Sequence, residues 1–187
     1  MNDDAELIAA FFRLAARDGW RGATIAGAAS EVGMPWPEAR GRFATRGALL
    51  RRFGEMADQA ALDGADTEGP PRDRLFDLLM RRFDTLQAHR DGVLALLRAL
   101  PSDPAMATVL ACGTRRSMRW MLDAAGVPTH GLLGELRVRG LIAVWLWAAR
   151  AWERDDSDDL TGTMAALDVA LLRAEQVAVW LNGRSEG

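Results

Sequence analysis

The chain has 187 residues, of which 49% are hydrophobic and 26% charged, so it is long enough to bury a core and is not composed like a disordered protein. Its 23 basic residues are all arginine and are outnumbered by 26 acidic ones, which excludes a uniformly basic nucleic-acid-binding protein and confines any DNA contact to a local patch. The single cysteine, Cys112, excludes an internal disulfide. Because no apolar leader or membrane-length apolar run is present, we expect no transmembrane segment and a cytoplasmic protein.

The first elements are three short helices. An apolar face that includes Phe11 and Phe12 predicts an amphipathic helix over residues 4–17, followed by a break at residues 19–22. Residues 24–50 then indicate two short helices joined by a tight turn through Gly33, the spacing of a helix-turn-helix. Thr24 has the hydroxyl that an N-cap requires.

These residues carry a resemblance to a known family. The N-terminal third resembles the DNA-binding domain of the TetR family of repressors, on the matches Ile25, Ala26, Ala29, Gly33, Phe43, Leu49 and Leu50. The resemblance implies an all-α, TetR-like fold, with a helix-turn-helix DNA-binding head at residues 1–46 and a helical ligand-binding and dimerisation body at residues 47–187. It also implies a homodimer that binds double-stranded DNA.

The predicted recognition helix departs from the family pattern. Pro35 and Pro37 carry no N–H, and Glu38 stands at the family's threonine position, where it repels phosphate. The resemblance leaves Arg40 and Arg46 as phosphate contacts. The full set of candidate DNA contacts is Thr24, Trp36, Glu38, Arg40, Arg42 and Arg46. An alternative is that Glu38 and Arg42, four residues apart, simply pair with each other on a solvated helix face.

A second resemblance supports an alternative function. The segment 43–47, Phe-Ala-Thr-Arg-Gly, with Leu49, is similar to the TetR-fold accessory proteins of ubiquinone biosynthesis, as are segments 100–104 and 156–158. Those proteins bind a lipid or isoprenoid and do not bind DNA. The alternative to a TetR-like, ligand-responsive transcriptional repressor is therefore a lipid-binding accessory protein.

The remaining elements are also helical. Gly and Pro cluster in residues 64–71, which predicts a linker. The apolar periodicity predicts six further helices, for a total of about nine and no strand, at residues 46–62, 72–88, 91–100, 103–125, 129–152 and 160–181.

The body is rich in tryptophan and methionine, which is consistent either with plain core or with an apolar pocket for a small hydrophobic ligand or lipid. The candidate pocket residues are Phe83, Met118, Trp120, Met121 and Trp145.

The last two long helices are apolar on nearly every side, and residues 141–149 carry no charge. A helix that is apolar all round must be covered all round, which predicts a homodimer through these helices. The candidate interface residues are Leu141, Val144, Ala148, Trp152, Met164, Leu167, Leu171 and Ala174.

No pattern indicates catalysis. The two histidines, His89 and His130, have no acid or nucleophile at a telling spacing, so we expect no enzyme and no cofactor. The acidic run at residues 155–159 lacks the glycine and distal glutamate of a calcium loop, so we expect no metal there.

Overall fold

The computed structural model describes residues 3–65 and 68–183, with side chains as far as residue 178. Within these residues the chain is all-helical, as predicted, with no strand. A 3₁₀ turn at Leu100–Ser102 separates the sixth and seventh of nine α-helices, which are α1 Asp3–Gly22, α2 Ile25–Glu31, α3 Trp36–Arg42, α4 Arg46–Leu62, α5 Pro71–Gln87, α6 Arg90–Ala99, α7 Pro104–Ala124, α8 Gly131–Trp152 and α9 Thr161–Gly183.

Side-chain caps begin several of these helices. The Thr45 hydroxyl accepts from the Ala48 amide at the start of α4 at 3.1 Å, and the Asp103 carboxylate accepts from the Met106 amide at the start of α7 at 3.1 Å. The acidic loop before α9 also provides a side-chain cap, since Asp155 Oδ2 accepts a hydrogen bond from the Thr163 amide at 2.6 Å. These caps satisfy amides that lack a partner within the helix.

The described residues form two compact units. Residues 3–60 together with residues 83–113 form unit 1, and residues 61–82 together with residues 114–183 form unit 2. The predicted functional division at residue 46 lies inside unit 1 and stays a prediction.

The core of unit 1 forms around α1. This helix packs against α2 and α6, and its buried side chains include Leu7, Phe11 and Phe12. The Phe12 ring lies 4.6 Å from that of Phe53 and 5.4 Å from the stacked His89 ring, measured between centroids. The predicted break at residues 19–22 is a kink at Gly19, where φ is 77°.

The core of unit 2 forms between α8 and α9, which pack against each other. Val138, Leu141 and Ala148 of α8 are buried, as are Leu167 and Leu171 of α9. Unit 2 therefore buries one side of each of two helices whose sequences are apolar on nearly all sides.

Helices α1 and α6 meet at a point where only glycine fits. A Cβ atom at Gly92 would lie 2.4 Å from the Phe12 carbonyl oxygen and 2.7 Å from the Phe12 Cβ. We predict that Gly92→Ala lowers the free energy of unfolding by about 3 kcal/mol, because backbone must move to admit the methyl group. Gly54→Ala, on an open side of α4 with nothing within 4 Å, is the matched control and should stabilise by about 0.5–1 kcal/mol. Urea unfolding measures both, and equal midpoints for the two variants would contradict the close α1–α6 contact.

Candidate nucleic-acid interface

Helices α2 and α3 form the predicted helix-turn-helix. The Thr24 hydroxyl accepts from the Gly27 amide at 3.0 Å, which confirms Thr24 as the N-cap of α2. The turn follows a Schellman motif, in which the Met34 amide donates to the Ala29 carbonyl at 2.9 Å and Gly33 has a φ of 69°. Ala28, Ala29 and Ala39 are buried, so small side chains allow the two helices to approach closely.

The start of α3 offers few backbone donors to a phosphate. Pro35 is its N-cap without a side-chain hydrogen bond, and Pro37 has no amide hydrogen. The Glu38 amide donates to the Pro35 carbonyl at 3.0 Å. Among the first three residues of α3, only Trp36 therefore has an amide free to meet an anion, so binding here depends on side chains.

Arg42 is held by three carboxylates. Its Nη2 lies 2.7 Å from Asp3 Oδ2 and 3.0 Å from Glu38 Oε1, and its Nη1 lies 3.0 Å from Asp4 Oδ1. Hydrogen bonds to Asp4 and then Glu38 raise the pKa of Arg42. The predicted Glu38–Arg42 pair is present, while Asp3 and Asp4 are partners that sequence spacing did not indicate.

Arg46 faces inward rather than outward. Its Nη1 donates to the Trp20 carbonyl at 3.0 Å, and its guanidinium carbon lies 5.5 Å from the centre of the Trp20 ring. The Trp20 side chain is buried and contacts Phe11 edge-on. Arg46 thus ties the start of α4 to the end of α1, which limits its role as a phosphate contact.

Of the four candidate residues on α3, Trp36 and Arg40 lie outside the Glu38–Arg42 ion pair. Both are exposed, Trp36 to 49%, and they lie four residues apart on one side of α3. Arg40 makes no hydrogen bond or ion pair with any residue that the structure describes. Its charge is therefore available to a ligand.

Most arginines of this region are already paired. Residues 3–53 contain eight arginines and six carboxylates. Glu31 accepts from Arg17 at 3.2 Å and lies 3.6 Å from Arg13, while Arg52 donates to Asp4 at 3.0 Å. Within the described residues, the arginines of this region without such a contact are Arg21, Arg40 and Arg51.

The candidate pocket residues do not line a common cavity. Met118 and Met121 are fully buried in unit 2, where Trp145 is nearly so, and Phe83 is fully buried in unit 1. Trp120 is 48% exposed. Unit 2 instead has an open apolar cleft of about 520 Å³, which none of the five predicted residues lines. Leu133, Leu136 and Trp147 of α8 line it, together with α9 and the start of α5.

The candidate interface residues lie mostly on the inner side of α8 and α9. Six of the eight are buried within a single chain, namely Leu141, Val144, Ala148, Trp152, Leu167 and Leu171, while Met164 and Ala174 are partly exposed. The outward side also carries large apolar side chains, which sequence reasoning did not separate from the inner ones. They are Leu132, Leu133, Leu136, Leu146, Trp147, Val169, Leu172 and Val177.

Comparison with solved structures identifies the fold. The TetR transcriptional regulator from Nitrosomonas europaea has a TM-score of 0.76 and 19% identity, over 94% of this chain and 99% of that one. A TetR-family transcriptional regulator from Streptomyces coelicolor has a TM-score of 0.64 and 20% identity, over 94% of this chain and 82% of that one. A transcriptional regulator from a Rhodococcus species has a TM-score of 0.54 and 18% identity, over 94% of this chain and 97% of that one.

The chain therefore has the fold of TetR-type transcriptional regulators, and the predicted resemblance is confirmed at the level of the fold. No protein-family model matches the sequence, and no curated protein matches it.

No single helix among the described residues combines the length and apolarity needed to cross a bilayer, whereas the segments Arg90–Ser102 and Pro104–Ala124, bent by 119°, have sufficient length and apolarity when taken together. No group of three or more His, Cys, Asp or Glu side chains in the described part of the chain is arranged to hold a metal ion.

A matched comparison of Arg46 and Arg40 tests how much the Arg46–Trp20 contact stabilises the protein. We predict that Arg46→Ala lowers the free energy of unfolding by about 1–2 kcal/mol, because it removes a charged hydrogen bond and a cation–π contact. Arg40→Ala removes the same charge from an exposed position and should change it by less than about 0.5 kcal/mol. Denaturant titration of both variants provides the measurement. Equal stability of the two would show that the Arg46–Trp20 contact contributes nothing.

Proposed function

We propose that this chain is a DNA-binding transcriptional regulator of the TetR type, rather than an enzyme, and that it acts as a homodimer. The observation that carries the proposal is a capped helix-turn-helix, on a TetR-type fold, whose second helix exposes Trp36 and Arg40. Similarity to regulators from three bacteria supports it.

The DNA contact depends on side chains of α3. Arg40 meets the phosphate backbone, where its charge releases a counterion, and Trp36 lies on the same side of the helix toward the groove. In a two-fold dimer the two α3 helices enter successive major grooves about 34 Å apart. Because the remaining arginines nearby are largely paired, we infer few phosphate contacts per protomer.

The outward apolar sides of α8 and α9 support a homodimer. Leu146 and Trp147 of α8 are each about half exposed, as are Val169 and Leu172 of α9 to a slightly smaller extent. Large apolar side chains repeated along two adjacent helices favour a second protein surface over water. A second copy of the chain presents the same two helices and covers them in a four-helix arrangement.

The apolar cleft of unit 2 supports response to a small ligand. Its volume of about 520 Å³ lies in the usual range for small-molecule sites. Its walls are mostly aliphatic, with one aromatic side chain, Trp147, with arginines that include Arg137 and Arg173, and with one acid, Glu175. A small apolar molecule that binds two conformations of the dimer unequally would change its affinity for DNA. No feature of the described residues favours the alternative of a lipid-binding accessory protein.

We predict that Arg40→Ala weakens binding to all DNA sequences about equally. Removing one phosphate contact per protomer should reduce the slope of log K against log salt by roughly 0.9 per protomer, or about 1.8 per dimer. At about 0.1 M salt this corresponds to binding some tens of fold weaker. Fluorescence anisotropy with labelled duplexes at several salt concentrations gives both quantities.

The matched control for this experiment is Arg98→Ala. Arg98 is exposed on α6 of the same unit, and its removal changes the net charge by the same amount. An equal effect of the two substitutions would mean that only net charge matters and that α3 is not the DNA-contacting helix.

The dimer surface can be tested with two large apolar side chains of similar exposure. We predict that Leu146→Glu gives a monomer in light scattering at micromolar concentration, because a buried charge would face the partner. Leu146 does not line the apolar cleft, and Trp120→Glu is the control, since Trp120 lies on α7 and is 48% exposed against 51% for Leu146. A dimer in all three proteins would exclude this surface, and a wild-type monomer would exclude the dimer.

A further inference from the structure

The first turn of α1 lies against the end of α3. Asp3 and Asp4 approach Arg42 with oxygen–nitrogen distances of 2.7 and 3.0 Å, although they are 39 and 38 residues away in sequence. We propose that Asp3 and Asp4 determine the DNA affinity of this protein by occupying Arg42 as a phosphate would, so that DNA must displace them. This inference rests on the proposed function and names two residues that regulate the same site.

The geometry leaves Arg42 without a free nitrogen. Nη1 is taken by Asp4 and Nη2 by Asp3, while Glu38 Oε1 accepts from Nε at 3.3 Å and from Nη2 at 3.0 Å. A guanidinium presents its donors in a fixed planar fork, which suits carboxylate and phosphate alike. These four hydrogen bonds leave one of the five guanidinium hydrogens, on Nη1, so a phosphate can bind Arg42 with two hydrogen bonds only if at least one carboxylate leaves.

One of these carboxylates, Asp4, also contacts a second arginine, Arg52. Asp4 Oδ2 accepts from Arg52 Nε at 3.0 Å while Asp4 Oδ1 accepts from Arg42. The cluster thus contains three carboxylates and two guanidinium groups and has a net charge of −1. Because phosphate is repelled by that charge, the paired arginines attract DNA less than two free ones would.

The ion pairs of the cluster are individually weak. The Asp3, Glu38 and Asp4 side chains are 48%, 46% and 21% exposed, and exposed ion pairs contribute only about 0–1 kcal/mol. Unit 1 is held instead by the apolar core around α1. Contacts this weak can open when a phosphate competes for Arg42, which is what a reversible mask requires.

An acidic first turn also interacts favourably with the helix dipole, and this general effect needs its own control. Glu6 lies in the first turn of α1 and Asp91 in the first turn of α6. Neither makes an ion pair with a described residue. The double variant Glu6→Gln/Asp91→Asn therefore removes two first-turn carboxylates, as does Asp3→Asn/Asp4→Asn, but leaves Arg42 masked.

The test compares the full-length wild type with these two double variants. Each is titrated with the same labelled duplex at several salt concentrations and is also eluted from immobilised heparin with a salt gradient. Thermal unfolding checks that all proteins are folded. We expect Asp3→Asn/Asp4→Asn to bind DNA some tens of fold more tightly than the control at about 0.1 M salt, with a salt slope steeper by roughly 0.9 per protomer for the released Arg42.

A third variant assigns the gain to one side chain. Adding Arg42→Ala to Asp3→Asn/Asp4→Asn should abolish the additional affinity and return the slope to that of the control. If it does not, the gain comes from another group that Asp4 releases, such as Arg52, and the proposed masking of Arg42 is wrong.

The outcomes separate this inference from the proposed function. Equal DNA affinity and slope for the two double variants overturn the masking of Arg42 and leave the DNA-binding function standing. If no protein binds DNA, but Asp3→Asn/Asp4→Asn leaves heparin at higher salt than the control, the proposed function fails and the masking stands. Absence of DNA binding with equal heparin elution overturns both.

Discussion

The burial of α1 on two sides is the constraint on which unit 1 depends. One side packs against α2 of the helix-turn-helix. Another side packs so closely against α6 that a side chain at Gly92 would overlap the Phe12 backbone. Phe12, Phe53 and His89 join α1, α4 and α6 in one aromatic cluster. Burial, and secondarily the charge of Arg13, lowers the pKa of His89, so the packed state favours the neutral ring.

The fixed position of α1 also decides how the charges of this region are used. Its first turn brings Asp3 and Asp4 to Arg42, and its last turn offers the Trp20 carbonyl to Arg46. Two arginines that the sequence predicts as DNA contacts, Arg42 and Arg46, are therefore engaged within the protein. Arg40 remains exposed on α3, so the DNA binding that we propose would rest on fewer cationic contacts than the arginine content suggests.

Much of the fold could be predicted from the sequence, because its signals are local. Apolar spacing, the Thr24 cap and Gly33 in the turn place α2 and α3 correctly, and the predicted helix limits elsewhere agree with the structure to within a few residues. The sites depend on long-range contacts, which local patterns do not contain. Nothing near Arg42 in the sequence identifies Asp3 as its partner.

In the body, the sequence does not show which side of each helix is buried. Helix α8 is apolar on nearly every side, so periodicity cannot tell which side packs within the chain and which remains outside. Leu141 and Ala148 were predicted to meet a partner and are instead buried in unit 2, whereas Leu146 and Trp147 are outside. The acidic loop before α9 caps that helix through a residue that was not predicted as a cap, since Asp155 Oδ2 accepts hydrogen bonds from the amide and the hydroxyl of Thr163.

We propose that this protein binds DNA through α3 with few phosphate contacts. The most direct test is the affinity of the wild-type protein for duplex DNA, including the region upstream of its own gene, between about 50 and 200 mM salt. We predict measurable binding whose log K falls linearly with log salt, with a slope of roughly 2–4 for the dimer, as expected for two to four phosphate contacts. No binding to any duplex at the lowest salt would contradict it.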